Sequence, residues 1–195
     1  MAVDPNATAR WLLRSAIVLR DGPHRGAVAG WLDAHGAPAF AYPEITGYYL
    51  SWLASLPDDT GTPGEVLSAG RAAAGWALRL ASGAVPLQTR FHLDATAADW
   101  RNDALFTFDL AMLARGLADF GRMSGETPAS LPVLLERLST ACAPGLPLPV
   151  CFDRRNALPS RWSTREGPFQ LKTAAAILFG VEHAPQDLQA AAWST

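Results

Sequence analysis

"AYPEITGYYL", residues 41–50, places a proline, a carboxylate and all three tyrosines of the chain within eight positions. Pro43 suits the first turn of a helix, where its missing N–H would have no intrahelical partner. From Ile45 onward the apolar residues recur at helical spacing. Glu44 therefore falls in the first turn, where a carboxylate complements the helix dipole and is worth ~0.3–1 kcal/mol. A surface helix, however, would gather its charges on one face and carry its tyrosines singly. A carboxylate flanked by Tyr42, Tyr48 and Tyr49 at one end of a buried-looking helix reads as a cap, a site, or both.

Working outward, apolar helical periodicity marks segments 5–20, 42–56, 63–82, 104–122, 129–142 and 167–181. Pro5, Pro43, Pro63, Pro128 and Pro168 stand near five of their starts. Gly22, Gly61 and Gly83 fall just beyond helix ends, where a left-handed residue is wanted. The connections alternate in length. "PDDTGT" and "MSGETP" are turn-like, whereas the stretches 20–42, 82–104 and 142–167 each run to roughly twenty residues, a length that is usually functional. The helices after the long loops can be laid over one another as "YPEITGYYLSWLASL", "FTFDLAMLARGLADF" and "GPFQLKTAAAILFG". Each opens on an aromatic or proline, then a polar side chain, then an apolar one: Glu44-Ile45, Asp109-Leu110 and Gln170-Leu171. The polar positions lie 65 and 61 residues apart. Order, spacing and chemistry together predict an all-α chain of three helical hairpins in one domain, residues 1–195.

Composition bounds the function. Apolar residues make up 49% and charged residues 17% of the 195, which gives a globular chain rather than a disordered one. The net charge is −2, and the arginines are scattered, so no nucleic-acid partner is implied. Lys172 is the only lysine. No apolar run approaches the ~20 residues that span a bilayer, and the N-terminal stretch is amphipathic, so the expected setting is the cytoplasm, with Cys142 and Cys151 as free thiols. His24, His35, His92 and His183 lack metal-ligand spacing, and neither a phosphate loop nor a nucleophile elbow is present.

The stretches "GAVAGWLDAHGAPAFAYPEITGYYLSWL" and "FTFDLAMLARGLADF" resemble bacterial proteins of the α/α-toroid class. The likeness is to the six-hairpin group that includes N-acylglucosamine 2-epimerases, glucuronyl C5-epimerase-like proteins, glycosidases and lyases. Trp31-Leu32-Asp33, Tyr42 to Tyr48 and Phe108 to Leu117 carry the resemblance, across about residues 10 to 180. Where that group has an Asp-Thr-Gly, this chain has Asp109-Leu110-Ala111. It also supplies about half the length of a six-hairpin ring, so the resemblance implies a partial toroid. In such rings the helices after the long loops line the interior, and their first turns meet the loops at one mouth.

The resemblance implies sugar chemistry, of epimerase, lyase or hydrolase type, with Glu44 and Asp109 as the acid–base carboxylates. Tyr42 and Tyr48 would carry protons or donate hydrogen bonds, and no cofactor is required. Gln170 would join them at the mouth, and Arg25, Arg90 or Arg165, one per long loop, would hold an anionic group. Loop tryptophans Trp31, Trp100 and Trp162 would stack on a sugar ring, and His24 and His92, both beside arginines, are further acid–base or binding candidates. Biosynthetic tailoring of a non-sugar small molecule is a second reading. A third is a non-catalytic helical module whose open flanks are covered by a second copy or a partner protein.

Overall fold

The computed structural model describes residues 5–57, 63–83 and 87–195. Among these the chain is mostly helical. The helices are α1 (Pro5–Arg14), α2 (Pro43–Ser55), α3 (Pro63–Ala81), α4 (Thr107–Ser124), α5 (Ser130–Ser139), α6 (Gln170–Gly180) and α7 (Gln186–Trp193). Proline opens α1, α2 and α3, as the first-turn argument requires. Gly125 ends α4 in the left-handed conformation, at φ 73°. Most of the turn "PDDTGT", with Gly61, lies outside the described residues.

The helices form two rows. In one, α2 packs on α4 and α4 on α6; in the other, α1 packs on α3, α3 on α5 and α5 on α7. Helix α4 stands at the centre, and Leu110, Met112, Leu113, Leu117 and Phe120 along it are at most 2% exposed. An apolar residue on nearly every face is what a helix enclosed on all sides needs. The main core adds Leu50, Leu134, Leu138, Ile177 and Leu188 from the neighbouring helices. The α2–α4 contact depends on two glycines. A Cβ on Gly47 would collide with the Met112 carbonyl, and one on Gly116 with the Gly47 carbonyl. The two backbones thus meet where neither residue has a side chain.

The long loops hold short extended pairs that fix where the helices begin. Strand β1 (Phe40–Ala41) pairs antiparallel with β2 (Phe91–His92), and β3 (Leu105–Phe106) with β4 (Cys151–Phe152). In both cases the residues leading into a helix of the central row are bonded to the middle of the following loop. Two sequence boundaries shift for this reason. Helix α1 stops at Arg14 rather than near 20, because Val18 bridges to Val28, and α4 starts at Thr107 rather than 104, because Leu105 and Phe106 are in β3. Helix α7 has no counterpart among the six predicted segments.

Trp76 is fully buried against Leu19, Ala27, Leu80 and Phe91, and seats the first two loops on α3. Both cysteines are free. No helix among the described residues is long and apolar enough to cross a membrane.

Candidate functional site

The residues that introduce the central row of helices are aromatic in every case: Tyr42 before α2, Phe106 before α4 and Phe169 before α6. All three line one cavity of about 650 Å³, bounded by the helix starts and by the second and third long loops. Glu44, Phe108, Asp109, Arg90, Trp100, Arg101, Val150, Arg161, Trp162 and Ser163 complete its lining. That volume exceeds a single sugar ring and falls within the range of small-molecule sites.

At one wall Arg90, Tyr42 and Asp109 form a chain. The Arg90 guanidinium donates from Nη2 to Tyr42 Oη at 3.0 Å, and Tyr42 Oη donates to Asp109 Oδ1 at 3.3 Å. Arg90 also lies over the Tyr42 ring, 4.4 Å from its centroid. Its backbone is pinned by Asn102, which accepts from Arg90 N and donates to Arg90 O, both at 2.8 Å. Arg90 therefore reaches the site from a rigid anchor rather than a free loop.

Asp109 is 6% exposed, and its carboxyl pKa is pushed up to about 8. Burial is the main cause, because a charge removed from water is costly, and the negative charge of Glu44 adds to it. Arg90, the Tyr42 hydrogen bond and Arg101 pull the other way without cancelling it. Burial also raises the Tyr42 phenol well above its ordinary value, with the charges of Asp109 and Glu44 in the same direction, so Tyr42 keeps its proton at all ordinary pH. One wall of the cavity thus holds a proton on a carboxylic acid at neutral pH, beside a second carboxyl group, Glu44.

Of the residues nominated from sequence, Tyr42, Glu44, Asp109, Arg90, Trp100 and Trp162 line the cavity. The others do not. Gln170 is buried and spent on the backbone, donating to Leu148 O at 2.7 Å and accepting from Gly167 N at 3.2 Å. The reason is angular. Counted from the aromatic cap residue, Gln170 is first, Glu44 second and Asp109 third, and each step turns the side chain by about 100°. Tyr48 lies one turn deeper along α2 and accepts a hydrogen bond from Lys172, whose ammonium sits 4.6 Å from the Tyr48 ring centroid and 5.5 Å from that of Phe108.

His24 accepts from Trp76 Nε1 at 3.5 Å and packs on Phe91; burial, aided by the Arg79 charge, lowers its pKa. Arg25 presents its backbone carbonyl to Arg79. Trp31 packs edge-on against Phe40, outside the cavity lining. His92 pairs with Asp99 at 3.2 Å, and Arg165 bonds Ser160. Arg101 and Arg161 are charged lining residues that the sequence did not single out. Their signal is the pair of dipeptides Trp100-Arg101 and Arg161-Trp162, each at the start of a 3-10 turn in a long loop.

No cluster of three or more His, Cys, Asp or Glu side chains among the described residues could hold a metal ion. No family model matches the chain, and no match was found among curated proteins or solved structures.

Proposed function

We propose that the chain is a carbohydrate-active or small-molecule-tailoring enzyme working by acid–base catalysis, with Asp109, Tyr42 and Glu44 as the proton-handling groups. The observation that carries this reading is the cavity wall on which a buried Asp109, still protonated near neutrality, is joined by Tyr42 to Arg90 and faced by Glu44. A carboxyl group that keeps its proton, with a second carboxyl group beside it, offers a general acid and a general base. Glu44 accepts a proton from the ligand, Asp109 gives one up, and Tyr42 keeps Asp109 in place or passes the proton on. In an epimerisation beside a carbonyl or carboxylate, one hydrogen leaves a ring carbon to Glu44 and one arrives from Asp109. The product then carries one solvent-derived hydrogen. Aromatic walls from Trp100, Phe106, Trp162 and Phe169 suit the apolar face of a sugar ring.

The two rows of helices, the recurrent aromatic cap and the small residue five positions after it (Gly47, Ala111, Ala174) support a partial α/α toroid. The free thiols agree with a reducing, cytoplasmic setting. A second reading, a ring completed by another copy or another protein, draws on one flank. Leu171 is 61%, Phe179 77% and Trp193 70% exposed, and the last two rings touch edge-on at 6.2 Å. In this reading the catalytic cavity remains within each chain.

The test is incubation in heavy water with neutral hexoses, N-acylhexosamines and hexuronates, followed by NMR for hydrogen exchange or conversion. The wild type should act on one class, and Asp109→Asn and Glu44→Gln should each abolish this while remaining folded. Activity retained in both variants would overturn the assignment.

A further inference from the structure

Two arginine–tryptophan pairs face the cavity from separate loops. In the second long loop the 3-10 turn Trp100–Asp103 presents Trp100 and Arg101; in the third, the turn Trp162–Thr164 presents Trp162 with Arg161 before it. The pairs are mirror images in sequence but unequal in charge. Arg101 is already satisfied: its Nη1 lies 2.8 Å from Asp99 Oδ2, and its guanidinium sits 5.3 Å from the Trp100 ring centroid. Among the described residues, no carboxylate forms an ion pair with Arg161 or with Arg90. Arg90 spends one donor on Tyr42 and keeps the rest of its fork. Asp99 neutralises Arg101 and Asp109 holds its proton, which leaves Glu44 against Arg90 and Arg161, a surplus of one positive charge.

The tryptophans point to a ring. Trp162 is 77% exposed, and its ring stands perpendicular to that of Phe169, with centroids 5.5 Å apart. An indole face left to water at the rim of a cavity is a platform for a ring to stack on. Trp100, by contrast, is fixed edge-on to Phe106 inside the wall.

We infer that the ligand is a ring compound bearing an oxyanion, a carboxylate or a phosphate, with the oxyanion held between Arg161 and Arg90 and the ring stacked on Trp162. This rests on the acid–base reading for what happens to the ligand, but not for how the ligand binds. The planar arginine fork suits either oxyanion. The two sources differ in reach: a carboxylate on the ring sits close to the reacting carbon, whereas the phosphorus of a 6-phosphate ester lies two bonds further out.

Calorimetric titration with glucuronate, glucose 6-phosphate and glucose, in low salt, tests it. At least one of the two anionic probes should bind, the preferred one naming the source, and glucose should bind at least about tenfold more weakly, as expected for loss of a charge-assisted contact. Arg161→Gln should weaken the anionic probe by a similar factor and leave glucose unchanged; Trp162→Ala should weaken both. Arg161 is exposed and bonds no other element, so its variant keeps the fold, which a melting curve checks. Binding of glucose as tight as that of both anions, an Arg161→Gln affinity equal to wild type, or binding of none of the three overturns the inference. Asp109→Asn should retain binding. If it does and the heavy-water experiment shows no exchange, the acid–base reading fails and the anion site stands; exchange on a neutral sugar alone gives the reverse.

Discussion

Asp109 stands in the first turn of α4, where a charged carboxylate would ordinarily be favoured by the helix dipole, yet burial outweighs that advantage. The consequence is readable in stability. The folded carboxyl keeps its proton up to about 8, against an ordinary value of 3.8. Below 3.8 both the folded and the unfolded chain are protonated, and the full contribution is present. As pH rises toward the folded value only the unfolded chain loses the proton, so this contribution is lost, by up to about 1.4 kcal/mol per pH unit. Asp109→Asn cannot titrate, so its urea midpoint should gain on the wild type steadily between about pH 5 and about pH 8. Parallel pH dependence in the two proteins would contradict the burial argument. Tyr42→Phe removes the acceptor for Arg90 and the donor to Asp109 together, and should cost about 1–3 kcal/mol in a urea melt.

At the scale of elements, the contact between α2 and α4 depends on Gly47 and Gly116. Gly116→Ala gains up to ~1 kcal/mol of helix propensity but drives a methyl into the Gly47 carbonyl, and overpacking of this kind costs about 1–3 kcal/mol or more. A net loss of stability in denaturant is therefore expected, and a more stable variant would show that the helices can separate freely. The helices themselves were legible, because proline punctuation and apolar spacing are local signals. Their ends were less so: Val18 and Leu105 are extended because of partners in distant segments, which no local pattern announces. The site was legible in the same proportion. Tyr42, Glu44 and Asp109 meet because α2 and α4 touch directly. Gln170 does not join them, since it stands one helix position nearer its cap than Glu44 and two nearer than Asp109, which turns it inward to Leu148. His24 looked reactive beside two arginines but serves as a half-buried acceptor for Trp76. Arg101 and Arg161, beside the nominated Trp100 and Trp162, were hidden by the same limit, because only the fold brings the second and third long loops to one cavity.

At the scale of the molecule, α4 is enclosed while the α6–α7 flank leaves Leu171, Phe179 and Trp193 in water. These exposed apolar side chains, of which Phe179 and Trp193 touch, are what the self-association reading rests on. Sedimentation equilibrium at micromolar concentration should give about twice the chain mass of 20.8 kDa, and Phe179→Ser with Trp193→Ser should return the monomer. A wild-type monomer would remove the self-association reading and leave the cavity within each chain untouched. In that cavity the intact protein keeps a proton on Asp109 beside Glu44 at neutral pH. The most direct measurement is the titration of the Asp109 carboxyl carbon by NMR in protein labelled on aspartate, assigned by its absence in Asp109→Asn. A midpoint of about 8 is expected, moving down in Glu44→Gln as the neighbouring negative charge is removed. A midpoint near 3.8, unchanged in Glu44→Gln, would contradict it.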